Sequence, residues 1–387
     1  MEDRAVVFGA GKIARGFIGH LLYLSGFHTT FIDVNEELIS ELNQSGTYNV
    51  YIVGAPGKNC TVSSFEAYSL NDKEHIYQSL EQGRICFVSV GGKNLESVAE
   101  VISGFYNNRG EVRGVQNIVT CENWKDAGRK LHDFIVSKLD PALKESFESK
   151  VGVTEAVIMR SGLSPTKEQF EADPTGVHVQ DFWYLPIDAS RFKGEFPKIK
   201  FAELKDGFGN YLTQKMYTNN TTSAVIAYNG SYYGYTGLAE AANSKEVSPL
   251  LDKLFDEIND TLVKGLKVDR KDQEDFSSRA RAKYSDYTIT DTVERHARDP
   301  LRKLGPEDRL IGPAKMAVQN GVELGVLLIT IVRALNYENP EDPSAVQLKE
   351  MRESKGIPYV LKTVCGLSES DKLYSLILDE YGKESHS

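Results

Sequence analysis

The stretch Ala5-Val6-Val7-Phe8-Gly9-Ala10-Gly11-Lys12-Ile13-Ala14-Arg15-Gly16 decides how this chain is read. Ala5 to Phe8 is a short apolar run leading into glycine. Lys12 to Ser25 then has helical spacing, with Ile13, Phe17, Leu21 and Leu22 on one side. The pattern is strand, tight turn, helix. Gly9 permits the turn, Gly11 lets backbone approach a pyrophosphate, and Ala14 fills the third small-residue position of a dinucleotide fingerprint. Amides at the helix start, from Ala10 through Lys12 and Ile13, supply donors at the positive end of its dipole.

Outward from that turn, Thr29 to Ile32 predicts a second strand ending at Asp33. A carboxylate there accepts both adenosine ribose hydroxyls and repels a 2′-phosphate, which points to NAD over NADP. Asn35 predicts a helix cap, with Glu36 and Glu37 at the positive end of a helix through Leu42. Val90-Gly91-Gly92 follows a further predicted strand. Gly91 there reads either as backbone near the ribose and nicotinamide side or as an ordinary strand-end turn.

Buried-strand candidates continue at Ile85 to Val90, Asn117 to Cys121 and Val151 to Met159, separated by helical stretches at Leu95 to Ser103 and Trp124 to Leu139. Tyr184 to Phe196, with Pro186, Gly194 and mixed charges, marks a crossing between domains. Beyond it the pattern turns helical, at Leu250 to Leu266, Pro313 to Asn336, Ala345 to Glu353 and Glu369 to Tyr381. The expected fold is an α/β Rossmann-type domain with a mostly parallel sheet over 1–195, followed by a mainly α-helical substrate and catalytic domain over 196–387.

Composition narrows the partners. With 41% hydrophobic and 26% charged residues the chain is an ordinary globular one, and a net charge of −10 disfavours nucleic acid and anionic membrane surfaces. The partner is expected to be a small molecule, with the chain a monomer or homodimer. Cys60, Cys86, Cys121 and Cys365 are scattered and predict free thiols, no Cys or His pair has zinc-site spacing, and the expected compartment is the cytoplasm, since the chain starts almost directly with a strand. Met316 to Tyr337 is apolar but carries Gln319, Asn320, Glu323 and Arg333, which predicts a buried helix rather than a membrane span.

Moving hydride from an alcohol requires a group to take the hydroxyl proton. Lys215 is the candidate, in Leu212-Thr213-Gln214-Lys215-Met216-Tyr217-Thr218-Asn219-Asn220-Thr221-Thr222-Ser223, a polar stretch inside an otherwise core-like helix. Burial there would lower its pKa toward a value useful for a base, whereas composition by itself favours a solvated surface lysine.

Several motifs in order carry a resemblance to a known family. Phe8-Gly9-Ala10-Gly11 with Arg15-Gly16-Phe17-Ile18-Gly19, Cys121-Glu122-Asn123, Pro300-Leu301-Arg302-Lys303-Leu304, Asp308-Arg309-Leu310-Ile311 and Val364-Cys365-Gly366-Leu367 run nearly end to end. Through them the chain resembles the polyol-specific long-chain dehydrogenases, the mannitol dehydrogenase family, and in length its shorter, phosphate-using branch. The resemblance implies Lys215 as base, Asn220 and Asn123 as donors to the reacting oxygen, and a sugar alcohol or sugar phosphate as substrate.

Two positions depart from the family pattern. Ser223 stands where the family has histidine, and Ile158, in Ala156-Val157-Ile158-Met159-Arg160, stands where it usually has aspartate. A hydroxyl lacks the reach and second nitrogen of imidazole. Asn219, Thr222 or Arg160 are candidates to take over lost polar contacts. Arg298, Arg302, Lys303 and Arg309 form a basic concentration that reads either as a phosphate contact or as an ion-pair network with Glu294, Asp299, Glu307 and Asp308. The expected activity is NAD-linked, metal-independent interconversion of a polyol (phosphate) and a ketose (phosphate). A hexuronate-type reductase and an NAD-binding regulatory protein with weakened catalysis are the alternatives.

Overall fold

The computed structural model describes residues 3–122, 124 and 126–384. It divides into two compact units, one running through Phe208 and the other starting at Gly209. The expected division at 195/196 falls inside the first unit, because Leu185–Asp188 and Ala202–Lys205 pair as parallel strands across it.

The strands of the first unit are β1 (Arg4–Phe8), β2 (His28–Asp33), β3 (Tyr48–Val53), β4 (Cys60–Val62), β5 (Phe65–Ser69), β6 (Ile85–Val88), β7 (Asn117–Thr120), β8 (Gly152–Glu155), β9 (Gly162–Leu163), β10 (Val177–Gln180), β11 (Leu185–Asp188) and β12 (Ala202–Lys205). Six of them form one parallel sheet in the order β5-β2-β1-β6-β7-β8. Chain order reverses on either side of β1, and in open α/β sheets ligands sit beyond the carboxyl ends of strands at such a point. The unbroken apolar runs follow from burial on both faces. Ala5 and Val7 belong to one core while Val6 and Phe8 belong to the other.

A smaller sheet, β4-β3-β10-β9, lies outside the expected elements. Its strand β3 alternates buried Tyr48, Val50 and Ile52 with partly exposed residues, and β10 pairs with it parallel from far along the chain. The helix after the glycine turn packs on this sheet through Gly16, where a Cβ would press on Val177 and Val179. Tyr184 to Phe196, expected as a domain crossing, contains β11, whose Leu185 and Ile187 are buried.

The second unit is helical, built around a core from Ala224–Tyr228, Leu251–Leu262 and Val326–Leu335. The expected helix over Pro313 to Asn336 is two, Ile311–Gln319 and Val326–Leu335, because Gly321 adopts φ +65° and breaks the helical path. Among the described residues no helix is long and apolar enough to cross a membrane. Cys60, Cys86, Cys121 and Cys365 are all free thiols.

Gly9 has φ +97°, and a Cβ there would collide with the carbonyl of Ser89 at the end of β6. Gly9→Ala is therefore expected to lower stability by about 2–4 kcal/mol. Urea unfolding monitored by circular dichroism checks this.

Candidate functional site

The carboxyl edge of the parallel sheet gathers the residues expected to hold a dinucleotide. Gly9 N–H donates to Ile32 O at 2.6 Å, tying the glycine turn to the end of β2. Asp33 braces the same turn, its Oδ2 accepting Ala10 N–H at 2.6 Å and its Oδ1 accepting Asn35 N–H at 2.9 Å. A Cβ built at Gly11 would meet nothing within 4 Å, so the space over the turn is open. Lys12, Ile13 and Ala14 open the helix, and first-turn amides have no intrahelical acceptor. Lys12 Nζ donates to Ser164 Oγ at 3.0 Å, and Ala14 is fully buried. Open space, donor amides and a flanking carboxylate fit a dinucleotide's pyrophosphate and ribose.

Gly91 has φ +85°, and its N–H and that of Val90 both donate to Glu122 Oε1, at 2.9 and 2.7 Å. Burial raises the Glu122 pKa while these two amides oppose the rise. The Gly91 turn is thus held by a carboxylate from the end of β7, the middle residue of the Cys121-Glu122-Asn123 motif. Asn123 itself lies outside the described residues.

In the second unit, helix Phe208–Lys215 runs into a wide turn over Met216–Asn220 and then into helix Thr221–Tyr232. Thr221 N–H donates to Met216 O, an i→i−5 bond that defines a π turn. At about 100° per residue a regular α-helix would set Lys215 and Asn220 roughly 140° apart. At about 4.4 residues per π turn they come within roughly 50°. Ser223, three α-helical residues on, then falls on nearly the same line as Lys215. On these ideal angles, a wide turn sets the three expected positions on one face of the helix.

Burial lowers the Lys215 pKa to about 8, with the neighbouring charges of Lys283 and Arg309 acting in the same direction. Asn220 Nδ2 donates to Met216 Sδ at 3.0 Å, a weak acceptor. Ser223 Oγ donates to Asn220 O at 2.9 Å and is also hydrogen-bonded to the phenol of buried Tyr284.

The other candidates resolve differently. Thr222 Oγ1 donates to Thr218 O at 2.7 Å and is engaged within the helix. Ile158 packs on the core of the first unit. Arg160 is buried there too, with Nε donating to Phe182 O at 2.5 Å and Nη1 to Gly16 O at 2.8 Å, between the rings of Phe17 and Trp183. Of the basic concentration, Arg302 pairs with Asp299 at 2.6 Å, Arg309 pairs with Asp308 at 2.7 Å, and Lys303 Nζ donates to Arg298 O. Arg298 is exposed.

Lys283 was not singled out in the sequence. Burial lowers its pKa to about 8, with Asp291 opposing, and its ammonium lies 5.5 Å from the Tyr284 ring centroid. Among the described residues it makes no ion pair. Nothing local in Arg279-Ala280-Arg281-Ala282-Lys283 distinguishes it from a solvated helix face.

Comparison with known proteins places these elements in a family. A model described as the mannitol dehydrogenase Rossmann domain matches residues 3–201, and one described as the mannitol dehydrogenase C-terminal domain matches residues 208–382. The mannitol-1-phosphate 5-dehydrogenase of Bacillus pumilus (strain SAFR-032) is 34% identical over 379 residues, covering 97% of this chain and 99% of the relative. That of Bacillus subtilis (strain 168) is 33% identical over 375 residues, covering 97% and 98%. Two solved structures share the fold. One is D-sorbitol dehydrogenase in substrate-free form, with a TM-score of 0.81 at 13% identity over 99% of this chain and 93% of that one. The other is Pseudomonas fluorescens mannitol 2-dehydrogenase in ternary complex with NAD and D-mannitol, with a TM-score of 0.70 at 12% identity over 100% and 92%.

Lys215 is expected to titrate in the folded protein near pH 8 rather than above 10. Competitive acetylation with acetic anhydride across pH, read at Lys215 by mass spectrometry, measures this. Half-maximal labelling at the ordinary lysine value would contradict the buried environment described above.

Proposed function

The chain belongs to the mannitol dehydrogenase family, and from that premise we propose that it is an NAD-linked oxidoreductase interconverting a hexitol phosphate and a ketose phosphate, in the manner of a mannitol-1-phosphate 5-dehydrogenase. The observation that supports the chemistry is the wide turn between Lys215 and Asn220, together with the Lys215 pKa lowered to about 8 by burial. When bound, NAD supplies the hydride acceptor. Asp33 would accept from its adenosine ribose, and the helix start at Lys12, Ile13 and Ala14 would hold its pyrophosphate. Lys215 Nζ takes the substrate hydroxyl proton, and the Asn220 amide donates to the oxygen as negative charge develops on it. Asn123, through the resemblance, is the second such donor.

The preference for an anionic substrate rests on charge. Lys215, Lys283, Lys303 and Arg309 act on one another electrostatically, and Arg309 shares its carboxylate partner Asp308 with Arg302. Partly buried cations that outnumber their carboxylates gain from an anion. The same surplus suits a hexuronate carboxylate, which keeps a sugar-acid reductase as the second reading.

The test is a panel of polyols, polyol phosphates, ketose phosphates and hexuronates, followed by NADH absorbance. Turnover is expected on a phosphorylated hexitol with NAD preferred over NADP, and Lys215→Ala is expected to lower kcat by about 10²–10⁴. In the oxidation direction kcat/KM should rise with pH through about 8, because only the neutral amine accepts a proton. Unchanged turnover in Lys215→Ala would remove the assignment.

Lys283→Met should raise KM for the phosphorylated substrate about tenfold, with a much smaller change for its unphosphorylated counterpart. Because the Lys283 charge lowers the Lys215 pKa, its removal should also move the pH profile toward higher pH. Equal effects on both substrates would separate Lys283 from the phosphate.

A further inference from the structure

The wide turn at Met216–Asn220 is gripped from outside by one buried side chain. Gln273 is fully buried on helix Arg270–Ser285. Its Nε2 donates to Thr218 Oγ1, inside the turn, at 3.0 Å. Its Oε1 accepts Gln214 Nε2, one residue before Lys215, at 3.0 Å. The same Nε2 lies 3.1 Å from Asn259 Oδ1, which also accepts Ser277 Oγ at 2.6 Å. Asn259 and Ser277 are themselves buried, so the knot is closed off from solvent.

An amide has a donor end and an acceptor end, and here both are used on the same neighbouring helix. Gln214 and Thr218 are four residues apart, with the wide turn beginning between them. Slipping the turn into regular α-helical register would move Thr218 relative to Gln214. One end of the Gln273 amide would then lose its partner in a buried setting, where an unmet polar group is costly.

We propose that Gln273 is a positioning residue: by bonding Gln214 and Thr218 at once, it selects the wide-turn register that puts Lys215, Asn220 and Ser223 on one face. This rests on the reading of Lys215 as the proton acceptor. Its effect reaches the chemistry through the helix, since its hydrogen-bond partners among the described residues are Gln214, Thr218, Asn259 and Ser277. The knot also sets helix Arg270–Ser285 against the turn, and that helix carries Tyr284, the partner of Ser223.

Gln273→Met keeps the length and loses both bonds. Three readouts are compared with the full-length wild type: acetic anhydride labelling of Lys215 against pH, kcat on whichever panel substrate the wild type turns over, and NADH binding by fluorescence. The expected result is a Lys215 labelling midpoint moved by at least half a pH unit and kcat lowered at least tenfold, with NADH affinity within twofold of wild type. Gln273→Glu, which keeps the acceptor for Gln214 but brings no amide donor for Thr218, should fall between the two. A Gln273→Met protein with wild-type labelling and kcat would overturn the proposal. So would a loss of NADH binding in step with kcat, which signals general unfolding. If Gln273→Met does not fold by circular dichroism, Thr218→Val, which deletes only the hydroxyl, decides by the same three readouts. A wild type without turnover on the panel would count against the proposed function alone, because the labelling midpoint still tests Gln273.

Discussion

A regular α-helix advances about 100° per residue, so residues five apart point to well-separated sides. That angular constraint governs the second unit. Lys215 and Asn220 are five apart, and chemistry that uses both from one face requires the helix to widen. The turn over Met216–Asn220 does so through i→i−5 bonding, Thr221 N–H donating to Met216 O. Widening disturbs the regular ladder, and a buried carbonyl left unmet costs about 1–3 kcal/mol. The hydroxyls that follow the turn donate to backbone carbonyls in and beside it. Thr222 donates to Thr218 O, Ser223 donates to Asn220 O, and Thr221 donates to Arg309 O, holding the Arg309 segment beside the turn. Much of the polarity of Thr218-Asn219-Asn220-Thr221-Thr222-Ser223 therefore serves the backbone.

Charge is the second organising quantity. A lysine buried among apolar and neutral groups loses its preference for the ammonium form, and a neighbouring cation strengthens the effect. Burial brings Lys215 and Lys283 both to about 8, with neighbouring cations adding to the effect at Lys215 and Asp291 opposing it at Lys283. The arginines nearby behave otherwise. Arg302 and Arg309 are neutralised by Asp299 and Asp308, carboxylates interleaved with them in sequence. So the basic concentration visible in the sequence is partly an ion-pair network, while of the two cations that lower the Lys215 pKa, Arg309 belongs to it and Lys283 comes from a different helix.

The sequence made the Rossmann unit legible where structure is local. The strand before Gly9, the helix after it, Asp33 at the end of β2 and the Asn35 cap all depend on residues a few positions apart, and Asn35 Oδ1 does accept Leu38 N–H. The small sheet was not legible because β3 and β10 pair across more than a hundred intervening residues, and β10 is only four residues long. Pro186 and Gly194 suggested a crossing, yet Pro186 fits β11 because that strand pairs only with β12 within its sheet. In the second unit, Lys215 was singled out by its polar surroundings and Asn220 and Ser223 by the family resemblance, but the wide turn between them was not read. Their spacing does not fit one face of a regular helix, and that misfit was the available signal. Gln273, Lys283 and Tyr284 had none, because their roles arise from a helix that meets the turn only in three dimensions.

The helix after the glycine turn contains a second wide turn, Ala14–Gly19, and it is supported by the same kind of distant repair. Tyr48 Oη donates to Arg15 O at 3.0 Å from the small sheet, and Arg160 Nη1 donates to Gly16 O at 2.8 Å. This accounts for a fully buried arginine that has no carboxylate in hydrogen-bonding contact: its guanidinium meets carbonyls and stacks between Phe17 and Trp183. Arg160 thus has a structural occupation and is not at hand to replace the polar contact absent at Ile158. Both helices depart from regular geometry where side chains from remote segments meet their carbonyls or side chains. Each departure thus coincides with a contact made from far along the chain, which the helix's own sequence does not display.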